Sequence, residues 1–405
     1  MFAPGERIPL DELQLRHARC REILSRMLPD AGGVLVTGSP NIYYMTGTAA
    51  NGLLWLPLRG EPVLAVRKGL ERAAMESSLH EIVPFRSYRE LGHLFAEAGS
   101  PLSRVLAADQ AGVSWEQGRM LAQRLAGHSL VPADMVLART RAVKSFWELT
   151  KIRESGRRLF HALRDLAEYI KPGMSERTIA HALWNRFFAL GHTGPSATGM
   201  HGSTMLLGHV CVGENGNYPT AYDGPLGVKG EHPSAPFMGN AQSVWKRKQL
   251  LTIDTGINYE GYLSDRTQLY FSGPESSIPS VIRKAQDTAV HIADKAAREL
   301  RPGAIPAKIY RMCLELADKA GYSEGFMGLG DNKVRFVGHG IGLTISEWPI
   351  LADSFTDPLE EGMIIAFEPK IGLPGIGMVG VEDTWEITDT GARCLTGGDS
   401  SILCV

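Results

Sequence analysis

At 405 residues the chain is too long for one small core, and two domains are the natural division. Hydrophobic residues make up 44% and charged residues 21%, the balance of a soluble globular protein. The net charge of −2 gives neither nucleic acid nor an anionic membrane surface a patch to hold, so neither is expected as a partner.

No apolar run reaches the length of a membrane span. The opening M-F-A-P-G-E-R-I-P-L-D-E carries early charges and no apolar core, unlike a signal peptide. The five cysteines (Cys20, Cys211, Cys313, Cys394, Cys404) are odd in number, far apart and without a C-x-x-C. Free thiols in a reducing cytoplasm are expected.

In chain order, apolar spacing predicts a helix over Leu13–Met27 and a short strand over Val34–Thr37, ending at Gly38-Ser39-Pro40. Leu53–Leu58 and Pro62–Val66 are apolar runs split by Arg59-Gly60-Glu61, a hairpin signal. Val105–Ala108 and Met135–Ala138 read as later strands, completing a modest α/β domain. The character changes around Arg139–Lys144. From Trp147 to Ile170 the spacing is helical, with Ile152, Leu159, Phe160, Leu163, Leu166 and Ile170 on one face. The boundary is placed near residue 145, giving domains 1–145 and 146–405.

The second domain contains an internal repeat. Phe160-x-x-Leu163-x-x-Leu166-x-x-x-Ile170-Lys-Pro-Gly173 lies on Val290-x-x-Ala293-x-x-Ala296-x-x-x-Leu300-Arg-Pro-Gly303, and Ile179, Leu183 and Gly191 fall on Ile309, Cys313 and Gly321. Each copy reads as helix, Pro-Gly break and helix, followed later by a strand hairpin. Two copies are too few for a solenoid. Two halves facing each other across a site are expected.

The hairpins carry the chemistry. Asp254 and Asp265 are symmetric about a turn placed at Tyr259-Glu260, which would make them cross-strand partners roughly 5 Å apart. Glu368 and Glu382 are symmetric about Gly375. Carboxylates in apolar strands are costly, and facing like charges cost more. Arginine and lysine are not expected on the same faces of these strands, Arg266 being on the opposite face of the pleat from Asp265. Two divalent metal ions, roughly 3.5–4 Å apart and bridged by carboxylates and a hydroxide, would offset the charge. His339, between two glycines, would be the one nitrogen ligand.

These residues resemble the pita-bread metallohydrolases: aminopeptidase P, prolidase, methionine aminopeptidase and creatinase. The matching contexts are I-D-T-G at Asp254, G-Y-L-S-D at Asp265, G-H-G-I-G-L at His339, F-E-P at Glu368 and V-E-D-T at Glu382. S-P-N-I-Y-Y-M-T-G resembles the creatinase-type N-terminal domain. The resemblance implies an α/β N-terminal domain and an α+β pita-bread catalytic domain with a pseudo-twofold repeat. It implies that Asp254 ligates one metal, that His339 and Glu368 ligate the other, that Asp265 and Glu382 bridge them, and that Glu368 is the general base. It also implies a homodimer. Carboxylate sites with one imidazole accept manganese, cobalt, zinc or iron, manganese being the first choice.

Three positions depart from the family pattern. The peptidases usually carry a second histidine seven residues after the ligand; here that place is Ser346, with Glu347 and Pro349 following as usual. Their upstream Pro-His is Pro236-Phe237, and Phe237 has no hydrogen-bond donor. An arginine often stands two before the last glutamate; here it is Gly380. His209, His232 and His201 are candidates for the lost roles, and Ser346 itself offers a hydroxyl. Gly375-Ile-Gly377-Met-Val-Gly380 is a literal G-x-G-x-x-G but precedes a strand, so it reads as a turn and not as a phosphate cradle. The leading expectation is an Xaa-Pro peptidase acting on peptides with proline second. The alternatives are a hydrolase or lyase of a small, amide-like C–N or C–S compound on the same metals, and a non-catalytic metal-binding interaction module.

Overall fold

The computed structural model describes residues 5–198 and 202–405. Two compact units divide between Arg141 and Ala142.

The first unit is a six-stranded mixed sheet with helices. In order they are α1 Leu10–Met27, β1 Gly33–Val36, α2 Ser39–Thr46, β2 Asn51–Pro57, β3 Val63–Lys68, α3 Leu70–Glu76, β4 Glu81–Pro84, α4 Leu91–Glu97, β5 Val105–Ala108, α5 Trp115–Arg124, β6 Ser129–Pro132 and α6 Asp134–Ala142. The strands lie in the order β4-β3-β2-β1-β5-β6. The β2–β3 hairpin forms where Arg59-Gly60-Glu61 placed it, antiparallel, with Leu54 opposite Leu64. Leu35, Trp55, Phe95 and Leu106 form part of its core.

The expected strand over Met135–Ala138 is instead part of helix α6. Ala133, Val136, Leu137 and Thr140 are buried, which is the i, i+3, i+4, i+7 stripe of a helix. A four-residue apolar window does not separate the two periods. The strand at this point is β6, six residues earlier.

The second unit opens with α7 Phe146–Leu166 and α8 Glu176–Ala189. A capping box starts α7: Glu148 N donates to Ser145 Oγ (3.2 Å) and Ser145 N donates to Glu148 Oε2 (3.0 Å). Two short strands, β7 Ser196–Ala197 and β8 Thr204–Met205, precede β9 His209–Val212, β10 Leu250–Tyr259 and β11 Tyr262–Phe271. Then come α9 Ser280–Glu299, α10 Pro306–Lys319, β12 Phe336–Gly340, β13 Glu347–Ala352, β14 Ile364–Phe367, β15 Lys370–Leu373, β16 Gly377–Gly380, β17 Asp383–Ile387, β18 Ala392–Cys394 and β19 Leu403–Cys404. The main sheets run β19-β11-β10-β9 and β13-β12-β14-β17-β18, and β15–β16 is a separate hairpin.

The repeat is visible in the backbone. Gly173 and Gly303 have φ of 99° and 84°, and Gly191 and Gly321 have φ of 83° and 78°. Only glycine takes such values without strain, so each helix pair is broken and ended by the same device at matching positions. The strand triplets β9-β10-β11 and β12-β14-β17 correspond, each antiparallel throughout. Each half has its own core: Leu159, Leu183, Val210 and Ile253 in the first, and Ile292, Cys313, Val337 and Ile365 in the second. No helix among the described residues is long and apolar enough to cross a membrane.

Candidate metal centre

Asp254 lies on β10 and Asp265 on β11. The connecting turn is Glu260-Gly261, with φ of 51° and 89°, the two positive values of a tight two-residue hairpin. Placing the turn at Tyr259-Glu260 was one residue early, and the register changes accordingly. Asp254 faces Thr267 and Asp265 faces Gly256. The aspartates are diagonal neighbours on one face, not direct partners.

Glu368 and Glu382 are symmetric about Gly375, but their hairpin is in two pieces. β14 pairs with β17 and β15 with β16. The glutamates fall at the break, where Pro369 has no N–H for a ladder. Val381 N donates to Pro369 O at 3.1 Å and keeps the strands together there. The G-x-G-x-x-G run is the end of the β15–β16 turn and strand β16 itself.

His339 lies on β12 and is buried. Its Nδ1 is 3.0 Å from Gly340 O, which makes Nδ1 the donor and leaves Nε2 to face the carboxylates. Nε2 is 3.7 Å from Glu368 Oε1. Asp265, His339 and Glu382 bring ligand atoms within 4.8 Å of one another, and so do Asp254, Glu368 and Glu382. All five sequence-predicted residues therefore converge.

The expectation that no cation lies among them is overturned by Lys370. Its Nζ is 2.7 Å from Glu368 Oε2, 2.8 Å from Glu382 Oε2 and 3.1 Å from Asp254 Oδ2. The side chain is fully buried. F-E-P-K held the signal: two residues beyond Glu368, where the chain resumes as β15, Lys370 returns to the same face.

The electrostatics follow from burial and crowding. Burial and the charge of Asp254 push the Asp265 carboxyl up to about 7. Burial, Asp254 and Asp265 push Glu382 well up. Burial raises Asp254 more than any single neighbour lowers it, but the Lys370 ammonium, a hydrogen bond with Glu382 and His209 together leave the net shift downward. Burial disfavours the charged Lys370, yet Asp254, Glu368 and Glu382 hold it protonated, well above its ordinary value. One ammonium faces four carboxylates, and the residual negative charge is what a hard divalent ion offsets. Asp265, His339 and Glu382, with Glu368 Oε1 beside them, fit one such ion. The other triad, Asp254, Glu368 and Glu382, is the set that Lys370 already holds.

The ligand strands are braced from behind. Thr384 Oγ1 donates to Asp265 O (2.9 Å) and accepts from Asp265 N (2.8 Å). Thr267 Oγ1 donates to Glu382 Oε2 at 3.0 Å. Arg266, on the opposite face from Asp265 as expected, pairs with buried Asp383. Glu347 secures the loop after His339: its Oε1 accepts from Leu343 N (3.0 Å) and Thr344 N (3.1 Å), and its Oε2 from Lys144 Nζ (3.1 Å).

The candidates for the lost histidines separate. His209 is buried on β9, directly opposite Asp254 in the ladder, with Nε2 unpartnered. Burial lowers its pKa, against the pull of Asp254. It also stands 130 residues before His339, the offset of the repeat, so the two histidines occupy matching strands. Phe237 is linked to it through Tyr222, whose ring centroid is 5.4 Å from His209 and 6.3 Å from Phe237. His232 is exposed, with Nδ1 2.7 Å from Ser234 Oγ in a local turn. Ser346 is exposed beside the Glu347 loop. His201 lies outside the described residues.

The fold and site define a duplicated α+β unit with a carboxylate-rich cluster and one imidazole that could hold metal. The chain belongs to metallopeptidase family M24, which it matches over residues 150–389; residues 16–143 match the Creatinase/Prolidase N-terminal domain. Divalent metal ions are the cofactors that membership implies. The chain is similar to an Xaa-Pro dipeptidase of Pyrococcus furiosus, 24% identical over 91% of this chain and 94% of that one. Among solved structures it resembles an Xaa-Pro dipeptidase from Bacillus anthracis (TM-score 0.81, 20% identity, 97% and 100% covered). It also resembles the prolidase from Pyrococcus horikoshii OT3 (TM-score 0.78, 22% identity, 96% and 99% covered).

Proposed function

We propose that the protein is a metal-dependent peptidase that hydrolyses the bond between an N-terminal residue and a following proline. The observation that carries this is the convergence of buried Asp265, His339, Glu368 and Glu382 with half-buried Asp254 in one cluster of an M24 unit. Xaa-Pro specificity rests on the similar dipeptidases and prolidases. A divalent ion, when bound, polarises the scissile carbonyl and makes a bound water acidic. Asp265, His339 and Glu382 would hold it. Glu368 takes the proton of the attacking water and returns it to the leaving nitrogen. His209, whose Nε2 is buried without a partner beside Asp254, takes the substrate-contacting role left open by Ser346 and Phe237. Manganese is the ion to load first, then cobalt, zinc and iron. A homodimer in a reducing cytoplasm belongs to the same reading, supported by the resemblance and the five free cysteines.

The test is hydrolysis of Xaa-Pro dipeptides, longer Xaa-Pro peptides and small C–N and C–S compounds by protein loaded with each metal. Metal-dependent release of the N-terminal residue from Xaa-Pro substrates is expected, and chain-length dependence separates dipeptidase from aminopeptidase. Turnover of only the small compounds would replace the peptidase reading. Retained metal with no turnover on the panel would favour a binding module.

A further inference from the structure

We infer that the centre takes one divalent ion, not two, and that the ammonium of Lys370 stands where a second ion would bind. The inference rests on the metal reading of the site but not on its peptidase activity.

The geometry is specific. Two groups of residues could each hold an ion: Asp265, His339 and Glu382, and Asp254, Glu368 and Glu382. Lys370 Nζ contacts all three members of the second group, at 3.1, 2.7 and 2.8 Å, and the side chain is 0% exposed. The ammonium donates hydrogen bonds to Glu368 Oε2 and Glu382 Oε2 and is ion-paired with Asp254 Oδ2. A cation placed among those oxygens at ligand distances near 2.0–2.2 Å would overlap Nζ or lie within a few ångströms of its charge. Of the group built around His339, Lys370 contacts only the shared Glu382, through Oε2, and Glu368 Oε1, 3.7 Å from His339 Nε2, faces that side. Glu368 thus gives one oxygen to the lysine and turns the other toward His339.

The backbone opposite makes room for the lysine. Lys370 pairs with Gly380 across the β15–β16 ladder. A Cβ at Gly380 would lie 2.6 Å from Lys370 Cα, 2.9 Å from Lys370 Cγ and 2.5 Å from Pro369 O, and φ there is 146°. Gly380 N is anchored by buried Gln286 Oε1 at 2.9 Å, which fixes this approach from α9. Lys370 and Gly380 therefore form a matched pair, with the lysine running in the space a side chain at 380 would fill.

The chemical consequence is limited. Lys370 is fully buried and tied to Glu368 and Glu382 by hydrogen bonds and to Asp254 by an ion pair. It is a positioning residue: it fixes three carboxylates and neutralises one charge, without acting as a Lewis acid.

The experiment measures metal content with no substrate present. Wild-type protein is loaded with excess manganese, desalted and assayed by elemental analysis, with electron paramagnetic resonance of the bound ion. One ion per chain, with the six-line spectrum of isolated manganese, is expected. Lys370→Gly, which empties the second group, should bind two ions and show the exchange-coupled spectrum of a pair. His339→Ala should lose the single ion. Two ions in the wild type would overturn the inference, and so would no ion in the wild type. If Lys370→Gly does not fold, anomalous diffraction from manganese-loaded wild-type crystals decides. One peak beside His339, with Lys370 retained at the other group, supports the inference, and two peaks overturn it. A wild type with one ion that fails on Xaa-Pro substrates would refute the peptidase proposal while leaving this inference standing.

Discussion

Arg266→Met is the perturbation whose consequence follows most directly from the structure. Arg266 is 1% exposed and donates to Asp383 Oδ1, Thr396 O (2.6 Å), Gln268 Oε1 (3.3 Å) and Asp399 O. Asp383 is 6% exposed, and its other neighbour is Thr396 Oγ1 at 2.6 Å. Methionine keeps most of the buried stem and removes the charge. What is lost is the compensation of a buried carboxylate and the satisfaction of two backbone carbonyls. Breaking a buried pair from one side costs about 3–5 kcal/mol. Because Arg266 adjoins Asp265 and Asp383 adjoins Glu382, the loss falls on the strands that carry two proposed ligands. The urea midpoint at pH 7 should drop accordingly, with weaker metal retention. The double variant Arg266→Met/Asp383→Leu should recover much of the loss, since a buried pair replaced by apolar residues is often neutral. A cost under about 1 kcal/mol for the single change, or a double variant that only sums the two singles, would refute the argument.

Other consequences are as concrete. Glu176, 1% exposed, accepts from Val212 N (2.7 Å), Asn215 Nδ2 (2.7 Å) and Asn240 N (2.9 Å), so Glu176→Ala strands two buried backbone donors next to the strand of His209. It should cost about 2–4 kcal/mol in chemical unfolding, and an unchanged midpoint would contradict it. Burial holds His17 down to about 4, with its Nε2 2.7 Å from Met45 O. The unfolded chain takes that proton at its ordinary 6.5, so stability is full above pH 6.5 and falls by about 3 kcal/mol as the pH drops to 4. An NMR titration showing His17 protonating near 6.5 in the folded protein would reject this. His209→Ala should lower kcat/KM by about 10²-fold, while Ser346→Ala and His232→Ala stay within about twofold; the reverse order in steady-state assays would reassign the role.

The five converging residues and the duplicated helix pairs were legible because each leaves a local mark. Glycines recur where the backbone must turn left-handed, and carboxylates interrupt apolar strands. Three features were less legible, each for a physical reason. Met135–Ala138 is too short a run to reveal its period, and only Ala133 and Thr140 outside it complete the helical stripe. The register of Asp254 and Asp265 depends on a two-residue turn that Glu260-Gly261 and Tyr259-Glu260 could equally have formed on symmetry alone. The glycine decided it, by accepting the positive φ. Lys370 was missed because no cation was expected on the carboxylate face of the strand, whereas the strand resumes at Lys370 and period two returns that side chain to the carboxylates. His209 could be distinguished from His232 and Ser346 by its offset from His339, a use of the repeat that local context alone did not prompt.

The central claim is tested most directly by the Glu368→Gln variant against wild type on Xaa-Pro dipeptides, both loaded with manganese and both assayed for bound metal. Metal-dependent release of free proline by the wild type is predicted, with a fall of at least ~10²-fold in the variant, which should still bind metal. Equal turnover in the variant would contradict the account, and so would a wild type that binds metal but releases no proline.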